Sequence, residues 1–228
     1  MEDKRILYVS SEVVPYLAEN EVSLMSYDVP KMVNDQGGQI RIFMPRYGNI
    51  NERRHQLHEV IRLSGMNLVV NDLDMPLIIK VASIPKERIQ VYFIDNDEFF
   101  KRKQPLVDDK GAEYKDNDER SMFFCRGVLE TVKKLGWQPD VIHCHGWMTA
   151  IMALYIKKMY AKDPHFADTK VVYSLYNETF NSNWDSRFGD KLKFDGFDDE
   201  LVQAMKDTSC VNITRVISKH VDGINVAS

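Results

Sequence analysis

Short runs of large apolar residues alternate with longer stretches of helical periodicity. No other feature restricts this chain as much. Residues 5–10, 39–44, 141–145 and 170–174 are mostly apolar and too short for a buried helix. Each reads as a strand covered on both faces, as in a parallel sheet. Residues 23–36 carry a helical pattern, which Pro30 is expected to interrupt and Gly37-Gly38 to end. Strand, helix and strand make a βαβ unit. The pattern recurs further on. Asp116 and Glu119 have capping-box spacing, and Phe124, Val128, Leu129, Val132 and Leu135 follow as a helical stripe ended by Gly136. The strand at 141–145 leads into an amphipathic run at 148–160, residues 199–217 are helical in pattern, and 223–227 reads as a last short strand. The expected fold is one α/β domain over residues 1–228, doubly wound on a mostly parallel sheet.

Two segments depart from this rhythm. Residues 56–83 hold short apolar runs broken by Gly65 and Asn71-Asp72, which predicts an antiparallel hairpin or meander inserted in the α/β order. Residues 97–112 are charged and read as a surface loop after a short helical turn. Residues 177–196 read as a long irregular loop with one helical piece.

Net charge is −4 and no basic stripe runs through the sequence, which argues against nucleic acid. No apolar run is long enough to span a bilayer, and residues 1–5 lack a signal-peptide pattern. Three cysteines in apolar surroundings fit a reducing, cytoplasmic compartment.

Chemistry points first to residues 140–147, Asp-Val-Ile-His-Cys-His-Gly-Trp. His143 and His145 fall on one face of their strand, at the C-terminal end where open α/β sheets bind ligands. His143 is expected to be a satisfied core histidine, while His145 reads equally as core or site. Cys144 faces the other way and no Cys-x-x-Cys pair exists, so no metal site is expected. Ser10-Ser11 lacks the setting of a hydrolase nucleophile. No catalytic constellation and no cofactor emerge.

Several stretches, in order, resemble the N-terminal lobe of glycogen and starch synthases, glycosyltransferase family 5. They are Ser-Glu-Val-Val-Pro-Tyr at 11–16, Pro-Arg-Tyr-Gly at 45–48, Tyr-Lys-Asp-Asn-Asp-Glu-Arg at 114–120, the His-Cys-His strand, and Ser-Leu-Tyr-Asn at 174–177. The resemblance implies the Rossmann-like N-terminal lobe of a GT-B enzyme. In such enzymes a C-terminal lobe, absent from this chain, holds most of the nucleotide sugar. It also implies transfer of glucose from ADP-glucose to an α-1,4-glucan. On these matched positions, and on the loops after the strands, the expected substrate-binding residues are Glu12, Tyr16, Tyr114, Asn117, His145, Trp147, Tyr176 and Asn177. Glu12 reads equally as a residue that binds backbone amides of its own loop.

The departures fall at the chemistry. Aligned on Ser11-Glu12 and Pro30, the family's Lys-Thr-Gly-Gly falls on Ala18, Glu19, Asn20 and Glu21, and a later aspartate on Leu24. A carboxylate about 5 Å from a phosphate charge costs roughly 3 kcal/mol at an effective dielectric of about 20, or about two orders of magnitude in affinity. Gly146 stands where the family has aspartate and Tyr176 where it has histidine, so no catalytic role is carried to either. The chain alone is therefore expected to be inactive in transfer. The alternative expectation is a non-catalytic module, derived from the same family, that binds glucan or a protein partner. A partner C-terminal lobe is compatible with both.

Overall fold

The computed structural model describes residues 3–177 and 180–226. In chain order the strands are β1 (Arg5–Ser10), β2 (Gln39–Pro45), β3 (His58–Glu59), β4 (Met66–Val70), β5 (Leu73–Ser83), β6 (Gln90–Asp95), β7 (Val141–His145), β8 (Lys170–Leu175) and β9 (Gly223–Val226). The α-helices are α1 (Glu21–Asp35), α2 (Glu52–His55), α3 (Asp97–Phe100), α4 (Asn117–Lys134), α5 (Met152–Leu154), α6 (Phe188–Phe194), α7 (Asp199–Ala204) and α8 (Cys210–Ser218). The sheet runs β3-β5-β6-β2-β1-β7-β8-β9, with β4 paired to β5. The stretch from β6 to β9 is parallel throughout, and β3, β4 and β5 are antiparallel to their neighbours. This is a mixed, mostly parallel Rossmann-like sheet, and β3–β5 form the inserted meander. Asn71 and Asp72, with φ of 46° and 66°, make the β4–β5 turn. Left-handed central residues match the twist of a tight hairpin.

Helices cover both faces of the sheet. Ser10 Oγ and Ser26 Oγ lie 2.7 Å apart, which seats α1 on the face carrying Tyr8, Ser10, His143 and His145. On the other face, the Ser121 hydroxyl of α4 donates to the Met148 carbonyl at 2.9 Å. Helix α4 is buried along nearly its whole length, with Phe123, Phe124, Val128 and Leu129 fully enclosed. Each such side chain stabilises the fold by about 1.5–3 kcal/mol through apolar burial.

Four local expectations need correction. Helix α1 runs through Pro30 rather than breaking there, because Pro30 is buried within a longer packed helix that begins at Glu21. Asp116 does precede α4, but its carboxylate makes no cap bond. It binds the Arg102 guanidinium at 2.5 and 2.7 Å instead, and Glu119 turns to Lys191 and Asn71, so there is no capping box. Charge-assisted pairs outcompete a neutral N–H donor for a carboxylate. The run at 148–160 is no single helix. A 3-10 turn (Trp147–Thr149), α5 and a π-helical segment (Tyr155–Met159) succeed one another. Residues 199–217 split into α7 and α8, with Ser209 capping the second by accepting from Asn212 N–H. No helix among the described residues is long and apolar enough to cross a membrane.

Candidate functional site

Parallel pairing sets Ser10 beside His145 and His145 beside Ser174, so the C-terminal ends of β1, β7 and β8 share one edge. The Ser11 N–H donates to the His145 carbonyl at 2.9 Å, and Ser11 Oγ accepts from Met148 N–H at 2.9 Å, which ties the first loop to the turn after β7. The His143 and His145 rings are 4.1 Å apart, with Tyr8 against both at 5.6 and 6.1 Å. His143 Nε2 meets Ser174 Oγ at 2.8 Å, and burial pushes its pKa down to about 4. It is a satisfied core histidine. Burial first, and the neighbouring His143 second, hold His145 well below its ordinary value. Both rings are therefore neutral near pH 7, and neither is a ready proton donor.

His145 Nδ1 lies 2.5 Å from the Tyr176 hydroxyl. Its Nε2 is buried and has no hydrogen-bond partner among the described residues. An unpaired buried polar atom costs about 1–3 kcal/mol. Next to His145, Gly146 has φ 82° and ψ 169°, a conformation essentially confined to glycine. That backbone accounts for glycine here. A pocket of about 310 Å³ opens beside it, lined by Gly146, Trp147, Tyr176, Phe180 and one side of α8.

Trp147 is buried, and one guanidinium connects it to Tyr114. Arg120 lies 5.9 Å from the Trp147 ring and 5.1 Å from the Tyr114 ring, while Arg102 covers Tyr114 at 4.5 Å. Arg120 is fully buried and donates to the Phe99 carbonyl at 2.8 Å and to Asn117 Oδ1 at 2.6 Å. Burial pulls its pKa down to about 10, so it stays charged at neutral pH. Asn117 is occupied within the fold, since its amide also donates to the Leu106 carbonyl at 3.1 Å.

The first loop closes on itself. Asn20 caps α1 by accepting from Ser23 N–H at 2.8 Å, and Ser23 Oγ accepts in return from Asn20 N–H at 2.9 Å. The Glu12 carboxylate accepts from the Asn20 side-chain amide, and burial raises its pKa. The N-terminus of α1, where a phosphate would bind, is filled by its own asparagine and flanked by Glu12, Glu19 and Glu21.

Tyr16 turns away from this edge. It packs edge-on against Phe93 at 4.9 Å and His55 at 5.1 Å, toward β6 and α2. Asn177 is exposed just beyond β8. The strand ends thus bring together His145, Gly146, Trp147 and Tyr176, with Tyr114 reached through Arg120, Glu12 on the adjoining loop and Asn177 just past the β8 end. Tyr8, Ser174, Arg102 and Arg120 also shape this region. The strand positions carried the only signal for Tyr8 and Ser174 and the 114–120 motif that for Arg120, while Arg102 stood in a stretch read as a charged surface loop. Among the described residues, no group of three His, Cys, Asp or Glu side chains is placed to hold a metal ion.

Comparison with known proteins bears on this edge. The family model described as starch synthase catalytic domain matches residues 5–228. The chain is 39% identical over 174 residues to a glycogen synthase of Chlorobium limicola, covering 76% of this chain and 36% of that protein. It is 37% identical over 202 residues to the glycogen synthase of Chlorobaculum tepidum, covering 84% and 41%. The catalytic domain of starch synthase IV from Arabidopsis thaliana, solved bound to ADP and acarbose, superposes with a TM-score of 0.78 at 19% identity. That superposition covers 98% of this chain and 44% of the other. The chain thus spans well under half the length of these relatives. Its glycosyltransferase motifs, its Rossmann-like sheet and these matches agree, and the chain belongs to the glycogen and starch synthase family as an N-terminal GT-B lobe with degenerate motifs.

Proposed function

We propose that residues 1–228 form one lobe that binds an α-glucan at the shared end of β1, β7 and β8, and that this lobe alone does not transfer glucose. The observation that carries the reading is the pocket walled by Trp147, Tyr176 and Phe180, in which the Tyr176 hydroxyl is held 2.5 Å from the His145 ring. A hydroxyl and an aromatic wall suit a sugar with its hydroxyls and apolar ring face. Glu12, Tyr114 and Asn177 stand around this edge, while Tyr16 turns away from it and Asn117 is held within the fold. The family reaction, from ADP-glucose to an α-1,4-glucan, needs closure of two lobes on donor and acceptor. The nucleotide-sugar lobe would be supplied by a further segment or partner. No role with nucleic acid or membrane is assigned. The reduced, buried thiols of Cys125 and Cys144 support a cytoplasmic setting.

The non-catalytic alternative, a glucan- or protein-binding module, is favoured by the first loop. Asn20 already fills the N-terminus of α1, and Glu19 and Glu21 are exposed beside it. Glycine-only torsion at Gly146 adds to this, because an aspartate there would be strained. Isothermal titration of this chain with maltoheptaose and, separately, ADP-glucose tests the reading. The oligosaccharide is expected to bind and ADP-glucose to give no measurable heat. Micromolar affinity for ADP-glucose would overturn the loop argument. Absence of maltoheptaose binding would overturn the glucan assignment.

A further inference from the structure

A second concavity, on the far side of the sheet edge, goes beyond the reading above. It is a groove of about 940 Å³ between the C-terminal end of α1, the start of β2, the β5–β6 turn and α2. Gln39, at the start of β2, pairs with Arg5, whereas His145 pairs with Ser10. Five residues of strand separate the two levels, roughly 16–17 Å.

The charge of the groove is unlike that of the molecule. Arg41, Arg54, Lys86 and Arg88 line it, and no aspartate or glutamate does, in a chain of net charge −4. Among the described residues none of these four forms an ion pair with a carboxylate. The turn's own carboxylate, Glu87, is directed to α1, 3.3 Å from Lys31 and accepting from the Tyr27 hydroxyl at 3.1 Å. Arg41 is held by aromatic faces, 5.0 Å from the Trp137 ring and 5.7 Å from that of Tyr92. Tyr16 also lines the groove, and its hydroxyl is buried without a hydrogen-bond partner. Unpaired cations with no carboxylate among them suit an anion, most strongly phosphate. The volume far exceeds one phosphate and falls in the range of small-molecule sites. Gln39, Gln56 and Gln90 line the remainder, and amides donate to and accept from sugar hydroxyls equally well.

We propose that this groove binds a phosphorylated saccharide, with the phosphate held by Arg54, Lys86 and Arg88 and a sugar hydroxyl paired to the Tyr16 hydroxyl. The test is isothermal titration of the whole chain with glucose 1-phosphate, glucose and inorganic phosphate. Wild type is compared with Arg54→Gln/Arg88→Gln and with Tyr16→Phe. Both arginines are exposed, so the double variant should fold, which its melting curve checks. Glucose 1-phosphate is expected to bind wild type more tightly than either fragment, and the double variant about tenfold or more weakly, with affinity falling as salt rises. Tyr16→Phe should weaken glucose 1-phosphate but leave inorganic phosphate unchanged. Maltoheptaose should not displace the ligand, which separates this site from the strand-end site whether or not the latter binds glucan. No binding to wild type, or equal binding by the folded double variant, would overturn the proposal. Inorganic phosphate binding as tightly as the sugar phosphate would overturn its saccharide half.

Discussion

Replacing Lys191 with methionine should destabilise the chain more at neutral than at acid pH. The Lys191 side chain, only 2% exposed, places Nζ 2.6 Å from Asp118, 2.9 Å from Glu119 and 3.0 Å from Asp185. Burial alone would lower the lysine pKa, but the three carboxylates outweigh it and raise the value. One ammonium serves three carboxylates, so burial still pushes Asp118 up to about 6 despite the attraction of Lys191. Glu119 and Asp185 reach water at the rim, whereas the Asp118 side chain is fully enclosed. Lys191→Met keeps the apolar stem and removes the charge. Breaking such a pair costs about 3–5 kcal/mol. At about 2–4 °C per kcal/mol for a chain of this size, the melting temperature should fall by about 6–20 °C near pH 7.5.

The pH dependence follows from Asp118. Its folded pKa lies above its ordinary value of 3.8, so the folded state favours the protonated carboxyl. That contribution is present in acid and is lost as pH rises from about 4 through about 6. Without Lys191 the folded value climbs further, and the penalty keeps growing above pH 6. The difference between wild type and variant should therefore be smaller near pH 5 than near pH 7.5, and Asp118→Asn in the variant background should flatten it. Urea or thermal melts at both pH values provide the assay. An equal loss at both, or a loss below about 1 kcal/mol, would refute the reasoning.

Two further outcomes are expected. Gly146→Ala should cost about 1–3 kcal/mol in thermal or urea melts, because φ 82° and ψ 169° exclude a Cβ-bearing residue without strain. Unchanged stability would mean the torsion relaxes freely. Tyr176→Phe removes the partner 2.5 Å from His145 Nδ1 and should lose about 1–3 kcal/mol while moving the His145 ring nitrogen resonances. Unmoved resonances would show that the hydrogen bond is absent in solution.

Much of the fold was legible in the chain. Strands buried on both faces need continuous apolar runs, and β1, β2, β7 and β8 stand where those runs predict them. The left-handed Asn71-Asp72 turn and the two histidines on one strand face follow equally from local rules. The helix-level errors share one cause. Periodicity reports which face is buried but not whether the backbone breaks, so the run from Met148 to Tyr160 read as one helix where three short segments succeed one another. Asp116 has the right type and spacing for a cap, yet it binds a guanidinium fourteen residues earlier in the chain.

At the strand ends the chain supplied the residue types, and the register decided which of them meet. That Tyr176 faces His145, that Arg120 reaches both Tyr114 and Trp147, and that Asn20 occupies the head of α1 depend on distances between separate elements. The cationic groove shows the same limit. Arg41, Arg54, Lys86 and Arg88 form no stripe in the sequence, and they line one groove because β2, α2 and the β5–β6 turn fold against each other. Hydrophobic periodicity is a local property that a linear chain can carry. Electrostatic potential and hydrogen-bond pairing depend on separation in space, which only the tertiary structure sets.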